Sequence, residues 1–246
     1  MKLQDIRWLE IIMNDQSHLF FRVALLAFLV GIDLPGYAFD EDEANPAPKD
    51  YSGVWIVKGG DGKVLSEVSY KEGKRQGLAR GWHPNGELRF SAHYRDGHLE
   101  GVSAIWDDDG LLTRLTVDEP DGTHRWTEFF SNGHRSEEQV SKDGKLLRRR
   151  MWHSTGAKAN DYSCRNGKPH GKYTSWHPNG TVSGKGLYEN GEPVGEFTTW
   201  NAEGKLERIR HHQNGKIVRI AIYEDDKVVA IEYWENGKVV RTEKVK

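Results

Sequence analysis

Three stretches of this chain, Tyr70-Lys-Glu-Gly73-Lys-Arg-Gln-Gly77, Tyr94-Arg-Asp-Gly97-His-Leu-Glu-Gly101 and Tyr188-Glu-Asn-Gly191-Glu-Pro-Val-Gly195, are copies of one pattern. Five residues after each second glycine stands a tryptophan, and four residues later another glycine, giving Trp82/Gly86, Trp106/Gly110 and Trp200/Gly204, with Trp176/Gly180 in the same frame. Trp152/Gly156 keeps the register, and Phe129/Gly133 is a degenerate copy. A unit of about two dozen residues cannot bury an apolar side alone, so it must do so against its neighbours in an array.

The glycines set the local structure. They fall at 62, 73, 86, 97, 110, 122, 133, 144, 156, 167, 180, 191, 204, 215 and 237, with Asp225-Asp226 filling the one gap. Asn-Gly, Asp-Gly and Glu-Gly pairs supply the positive φ of tight hairpin turns, and the segments between them have the length of strands. Alternation agrees: Leu88, Phe90, Ala92 and Tyr94 share one face, while Arg89, Ser91, His93 and Arg95 share the other. The predicted fold is all-β, an elongated antiparallel meander of tandem hairpins over residues 51–246, with one apolar and one polar face.

Composition says what fills such a fold. Only 36% of residues are hydrophobic and 29% are charged, whereas glycine reaches 27 and tryptophan nine. Large aromatics must then do the packing. Tyr70, Tyr94 and Tyr188 stand three residues before their turn glycines, as does Cys164, the one cysteine, so Cys164 reads as a variant at a packing position and no internal disulfide is possible. Rings at the same strand depth are expected to stack in ladders, with Trp82, Trp106, Trp152, Trp176 and Trp200 either packed or offered as a sugar-stacking surface.

The N-terminal region reads differently. Arg22 precedes an apolar run from Val23 to Ile32, and Gly36-Tyr-Ala38 places small residues at −3 and −1 of a cleavage site. This is the layout of a secretory signal peptide, a signal helix over residues 1–38 with cleavage after Ala38. The run falls short of the roughly 20 apolar residues of a spanning helix. Asp5, Glu10 and Asp15 dilute the leading positive charge, and Met13 offers an alternative start. Residues 39–50 are acidic and proline-containing and read as a flexible linker. The expected location is therefore periplasmic or secreted, without membrane association after cleavage.

The segments Tyr188-Glu-Asn-Gly191-Glu-Pro-Val-Gly195-Glu-Phe-Thr-Thr-Trp200 and Gly171-Lys-Tyr-Thr-Ser-Trp176-His-Pro-Asn-Gly180 resemble the bacterial variant of the MORN repeat, of the YwqK-type antitoxin-like family. The resemblance runs from about Tyr51 to Lys246 and is loosest over 113–147. It implies an elongated sheet of hairpins and, by association, recognition or neutralisation of another protein. Export sits poorly with the antitoxin part, because an exported chain does not meet a toxin acting in its own cytoplasm.

The search for chemistry returns little. No G-x-S-x-G, H-E-x-x-H, Walker-type or dinucleotide-binding pattern occurs, so no catalytic residue and no cofactor is expected. His83, His153 and His177 each follow a tryptophan and read as turn residues rather than metal ligands. Asp107-Asp-Asp109-Gly110 occupies the same turn and lacks the spaced ligands of a calcium loop. Arg148-Arg-Arg150 alternates between faces on a strand and reads as a solvated stretch. With 35 basic and 37 acidic residues the chain has no overall field for nucleic acid. The expectation is a non-catalytic repeat protein of the cell envelope that binds a protein partner, with glycan or peptidoglycan binding through an exposed aromatic ladder as the alternative.

Overall fold

The computed structural model describes residues 46–245. The expected signal peptide and linker residues 39–45 lie outside the described residues. From Gly53–Lys58 to Lys238–Lys244 the chain forms one sheet of eighteen antiparallel strands in which neighbours along the chain pair, except that His98–Leu99 and Gly101–Trp106 both pair with Leu88–Arg95 and not with each other. Between these two strands run sixteen turns, at the fifteen glycine positions and at Asp225-Asp226. They delimit seventeen arms. One arm is broken at Glu100 into His98–Leu99 and Gly101–Trp106, because Gly101 at φ 74° bulges out of the ladder, which makes eighteen strands. Among the described residues no helix occurs.

Two kinds of turn alternate. In the tight ones both central residues have positive φ, for example Asn190 at 52° with Gly191 at 93° and Asp96 at 50° with Gly97 at 86°. That is the two-residue hairpin turn whose twist matches the strands, and it explains the choice of Asn, Asp and Gly. In the wide ones the first residue bonds across the loop, as where His83 N–H donates to Glu87 O at 2.8 Å and Gly86 N–H to His83 O at 2.8 Å. Because the strands alternate in direction, wide turns line one side of the sheet and tight turns the other. The exceptions are the wide turn Glu119–Thr123 and the tight turn Asp225-Asp226, which have changed sides.

Burial is uneven along the array. Val68, Ala79, Phe90 and Ala92 are each 1% exposed and form two adjacent columns on one face, Val68–Ala79–Ala92 and Ser66–Gly81–Phe90. The opposite face of the strand Leu88–Arg95 carries exposed His93 and Arg95, so the predicted apolar and polar faces hold here. They fail in the middle of the array. Between residues 113 and 152 both faces carry half-buried charged pairs, and the buried side chains include Glu137 and Glu138.

An open sheet leaves an edge strand at each end. Lys238–Lys244 is exposed along its whole length and mixes Val239 and Val240 with Lys238, Arg241, Glu243 and Lys244, the pattern of an edge guarded by charge. It pairs with Lys227–Glu235, whose run Val228-Val-Ala-Ile231 is uncharged. Removing residues 235–246 is expected to bare that run and raise self-association. Sedimentation velocity on the truncated and full chains checks this, and equal monodispersity would refute the guarding role.

Candidate binding surfaces

The five tryptophans named from the sequence are all half-buried at the wide-turn side of the sheet. They do not stack on one another. One repeat is two strands wide, so tryptophans of neighbouring repeats are about 9.6 Å apart with a residue of the return strand between them, and Trp106 and Trp152 are farther apart still because Phe129 takes the place between them. Trp82 faces Leu88, Trp106 faces Leu112, Trp152 faces Lys158, Trp176 faces Val182 and Trp200 faces Leu206. Cations lie over three of the indoles, Arg135 over Trp152 at 5.9 Å, Lys158 over Trp176 at 5.7 Å and Lys185 over Trp200 at 6.0 Å. Trp82 lines a cleft of about 510 Å³ with Leu65, His83 and Pro84.

The ladder of touching rings is made of tyrosine, phenylalanine and histidine instead. Tyr162 meets Tyr173 at 6.2 Å, Tyr173 meets Tyr188 at 5.8 Å, Tyr188 meets Phe197 at 5.3 Å and Phe197 meets His212 at 5.0 Å. Glycine makes this possible: a Cβ at Gly186 would lie 2.4 Å from three atoms of the Phe197 ring, so the ring occupies the space of an absent side chain. Tyr188 belongs to this ladder, and burial among the neighbouring tyrosines pushes its phenol up. Tyr94 is 4% exposed beneath Arg75, and Tyr70 packs against Tyr51 at 6.3 Å. The three predicted tyrosines are packing residues. Cys164 occupies the equivalent slot, half-buried opposite Pro169 as Tyr188 is opposite Pro193, and burial pushes its thiol up rather than activating it.

The histidine row has a structural task. His83 Nε2 bonds Trp106 O at 3.0 Å, His153 Nε2 bonds Trp176 O at 2.9 Å and His177 Nε2 bonds Trp200 O at 2.8 Å. A carbonyl only accepts, so Nε2 carries the proton and donates it to the next wide turn. Asn85, Asn132 and Asn179 side chains donate in the same way to Asp108, Ser154 and Ala202 carbonyls. Where Asp107 or Asn201 replaces histidine, the side chain caps its own turn: Asp107 Oδ1 accepts from Asp109 N–H at 3.2 Å and Leu111 N–H at 2.8 Å.

The arginine triplet corrects the sequence reading. Its members do alternate between faces, but they are not a solvated stretch. Arg149 forks onto Glu137 at 2.7 and 3.0 Å on one face; on the other, Arg148 forks onto Asp161 at 2.9 and 2.8 Å and Arg150 meets Glu138 at 2.8 Å. Burial opposes the charge of Arg149, yet the Glu137 carboxylate holds its guanidinium above the usual range. Glu137 and Glu138 are each 7% exposed at the side chain. The array thus replaces ring-on-glycine packing with ion pairs where the repeat pattern is loosest. The legible signal was charge complementarity between neighbouring strands, Arg135–Lys142 and Lys145–Trp152.

A further feature appears only in three dimensions. Val54, Leu78 and Val102, each two strands from the next, are 52%, 39% and 57% exposed on the face opposite Phe90, with Ile56 beside Val54 at 45%. The corresponding residues after the second glycine in later copies are Lys172 and Glu196. The aliphatic stripe therefore belongs to the first copies alone.

No curated protein matches the chain. Among solved structures, a point mutant of Staphylococcus aureus TarM in complex with fondaparinux, α-GlcNAc-glycerol and UDP is 14% identical over 38% of this chain with a TM-score of 0.29. A second TarM structure is 15% identical over 39% at 0.29, and accessory secretory protein 1, 2 and 3 of Streptococcus pneumoniae is 17% identical over 48% at 0.26. This chain spans 19% of the length of each. The MORN repeat variant matches at residues 75–96 and 169–190, each one hairpin around a wide turn, so the array is built on MORN-variant hairpins at these two places.

Proposed function

We propose that the protein is a non-catalytic binding module of the cell envelope that docks a protein partner, in the manner of an immunity or antitoxin-like protein. The observation that carries this reading is the aliphatic stripe of Val54, Ile56, Leu78 and Val102. Exposed aliphatic side chains at one repeat position gain from burial against another apolar surface and offer a sugar no hydrogen bond. The indoles that a glycan would stack on are partly covered by cations at Trp152, Trp176 and Trp200. Repeat arrays present wide surfaces of this kind to protein partners.

The test is affinity capture from envelope extract with the full chain and with Leu78→Lys/Val102→Lys, both positions being exposed enough to leave the fold intact. The expected result is a polypeptide retained by the parent chain and lost from the variant at unchanged circular dichroism. The same polypeptide retained equally by both would remove the stripe as the docking surface. Soluble wall fragments that quench tryptophan fluorescence equally in both chains, with no polypeptide captured, would favour the glycan reading instead.

A further inference from the structure

The strand Leu206–Gln213 carries Arg208 and Arg210 on one face, two residues apart, which is about 7 Å. Elsewhere the strand guanidiniums of Arg114, Arg148, Arg149 and Arg150 each meet a carboxylate. Among the described residues Arg208 and Arg210 meet none within 4 Å; the adjacent Glu207 belongs to the opposite face by alternation. Their cross-strand neighbours are apolar or neutral: Arg208 lies between Thr199 and Ile222, and Arg210 between Phe197 and Ile220. Burial, then repulsion from Arg208, holds Arg210 below the usual guanidinium range in spite of the attraction of Glu207. His212, the next residue on the same face, closes the ring ladder against Phe197 at 5.0 Å, and its Nδ1 is buried without a hydrogen-bond partner.

We infer that this face is a second docking site, for an extended acidic peptide segment of a partner protein whose alternate residues are two carboxylates and one aromatic ring. The spacing carries the argument. Alternate side chains of an extended peptide are also about 7 Å apart, so two carboxylates lying along Leu206–Gln213 meet both guanidiniums, each with the planar fork that suits bidentate pairing. The next alternate side chain then reaches the Phe197–His212 pair, where an aromatic ring adds an edge-to-face contact. The inference rests on the reading of the chain as a protein-binding module, but it uses other strands and the opposite face from the aliphatic stripe, so each fails alone.

The experiment is fluorescence anisotropy on the full chain with labelled peptides of sequence FTETE and ETETF. Expected is binding that weakens with salt, falls at least tenfold in Arg208→Gln/Arg210→Gln and is unchanged in Leu78→Lys/Val102→Lys. Arg208→Glu alone, at an exposed position, is expected to abolish binding and guards against misfolding of the double variant. Arg208→Lys/Arg210→Lys keeps the charge and loses the fork, and intermediate affinity is expected. Equal binding by parent and Gln variant, or equal binding of the lysine peptide FTKTK, would overturn the site. Arginine-dependent binding of a heparin octasaccharide with no peptide binding would overturn the peptide assignment and replace it with a sulfated polysaccharide.

Discussion

Replacing Phe90 by alanine is expected to lower stability by about 3–5 kcal/mol, the usual range for truncating a fully buried phenylalanine. The ring is 1% exposed and lies against Gly81 of the neighbouring strand, where a Cβ would come within 2.1 Å of ring atom Cε1. Gly81 does not have positive φ, so glycine is needed there for space and not for backbone conformation. Gly81→Ala is accordingly expected to cost about 1–3 kcal/mol by overpacking, since the ring has no open direction in which to retreat. Combining the two should cost less than their sum, because alanine at 81 fills part of the hole left at 90. Urea unfolding followed by hydrogen exchange across residues 64–106 checks this, since loss in a repeat array can remain local. A Phe90→Ala loss under about 1 kcal/mol would mean that the ring-on-glycine column is not the core of this part of the sheet.

Glu138→Ala is expected to cost about 2–3 kcal/mol, somewhat less than removal of one partner from a fully buried pair because the guanidiniums around it are partly exposed. Arg150 lies 2.8 Å from Glu138, Arg125 3.6 Å and Arg135 3.9 Å. Without the carboxylate these three cations are left to repel one another beside the strand. Removing charge from both sides with Glu138→Leu/Arg150→Met is expected to recover most of the loss, because apolar groups of similar volume replace a buried pair at little net cost. Thermal unfolding of the two variants against the parent decides it. If the double variant is no more stable than Glu138→Ala, the pair does more than neutralise charge.

The first of these tests probes the ring-on-glycine packing of the regular copies, and the second probes the ion pairs that hold the loose copies together. In the copies around 70–110 and 162–204, glycine on one strand admits a ring from its neighbour, as Gly81 does Phe90 and Gly186 does Phe197. In the loose copies, Glu128 stands where Gly81 does and Glu137 where Phe90 does, and Arg114 and Arg149 answer them. A motif defined by Gly and aromatic residues fades here, although the strand register continues through it.

The sequence by itself determined the strands, the turns and the order of pairing, because those demands are local. A two-residue hairpin turn needs positive φ at both central positions, a need that Gly, Asn and Asp meet most cheaply and that Glu72 alone meets otherwise among the described tight turns, so the turn positions of an antiparallel meander were written in the chain. Cys164 was legible as a packing residue for the same reason, since a fixed distance from the turn fixes depth in the sheet. Which rings touch was decided by the tertiary structure. Trp82 and Trp106 share a depth but lie two strands apart, whereas Tyr188 and Phe197 sit on adjacent strands beside a glycine, and bulges shift the register between them. The same holds for Arg148-Arg-Arg150, where alternation was legible but the carboxylates came from strands on either side. The aliphatic stripe and the unpaired arginines were also hidden, because exposure and the lack of a partner are properties of the assembled sheet: a side chain's neighbours across a strand are set by the offset of a whole hairpin, which no single repeat encodes.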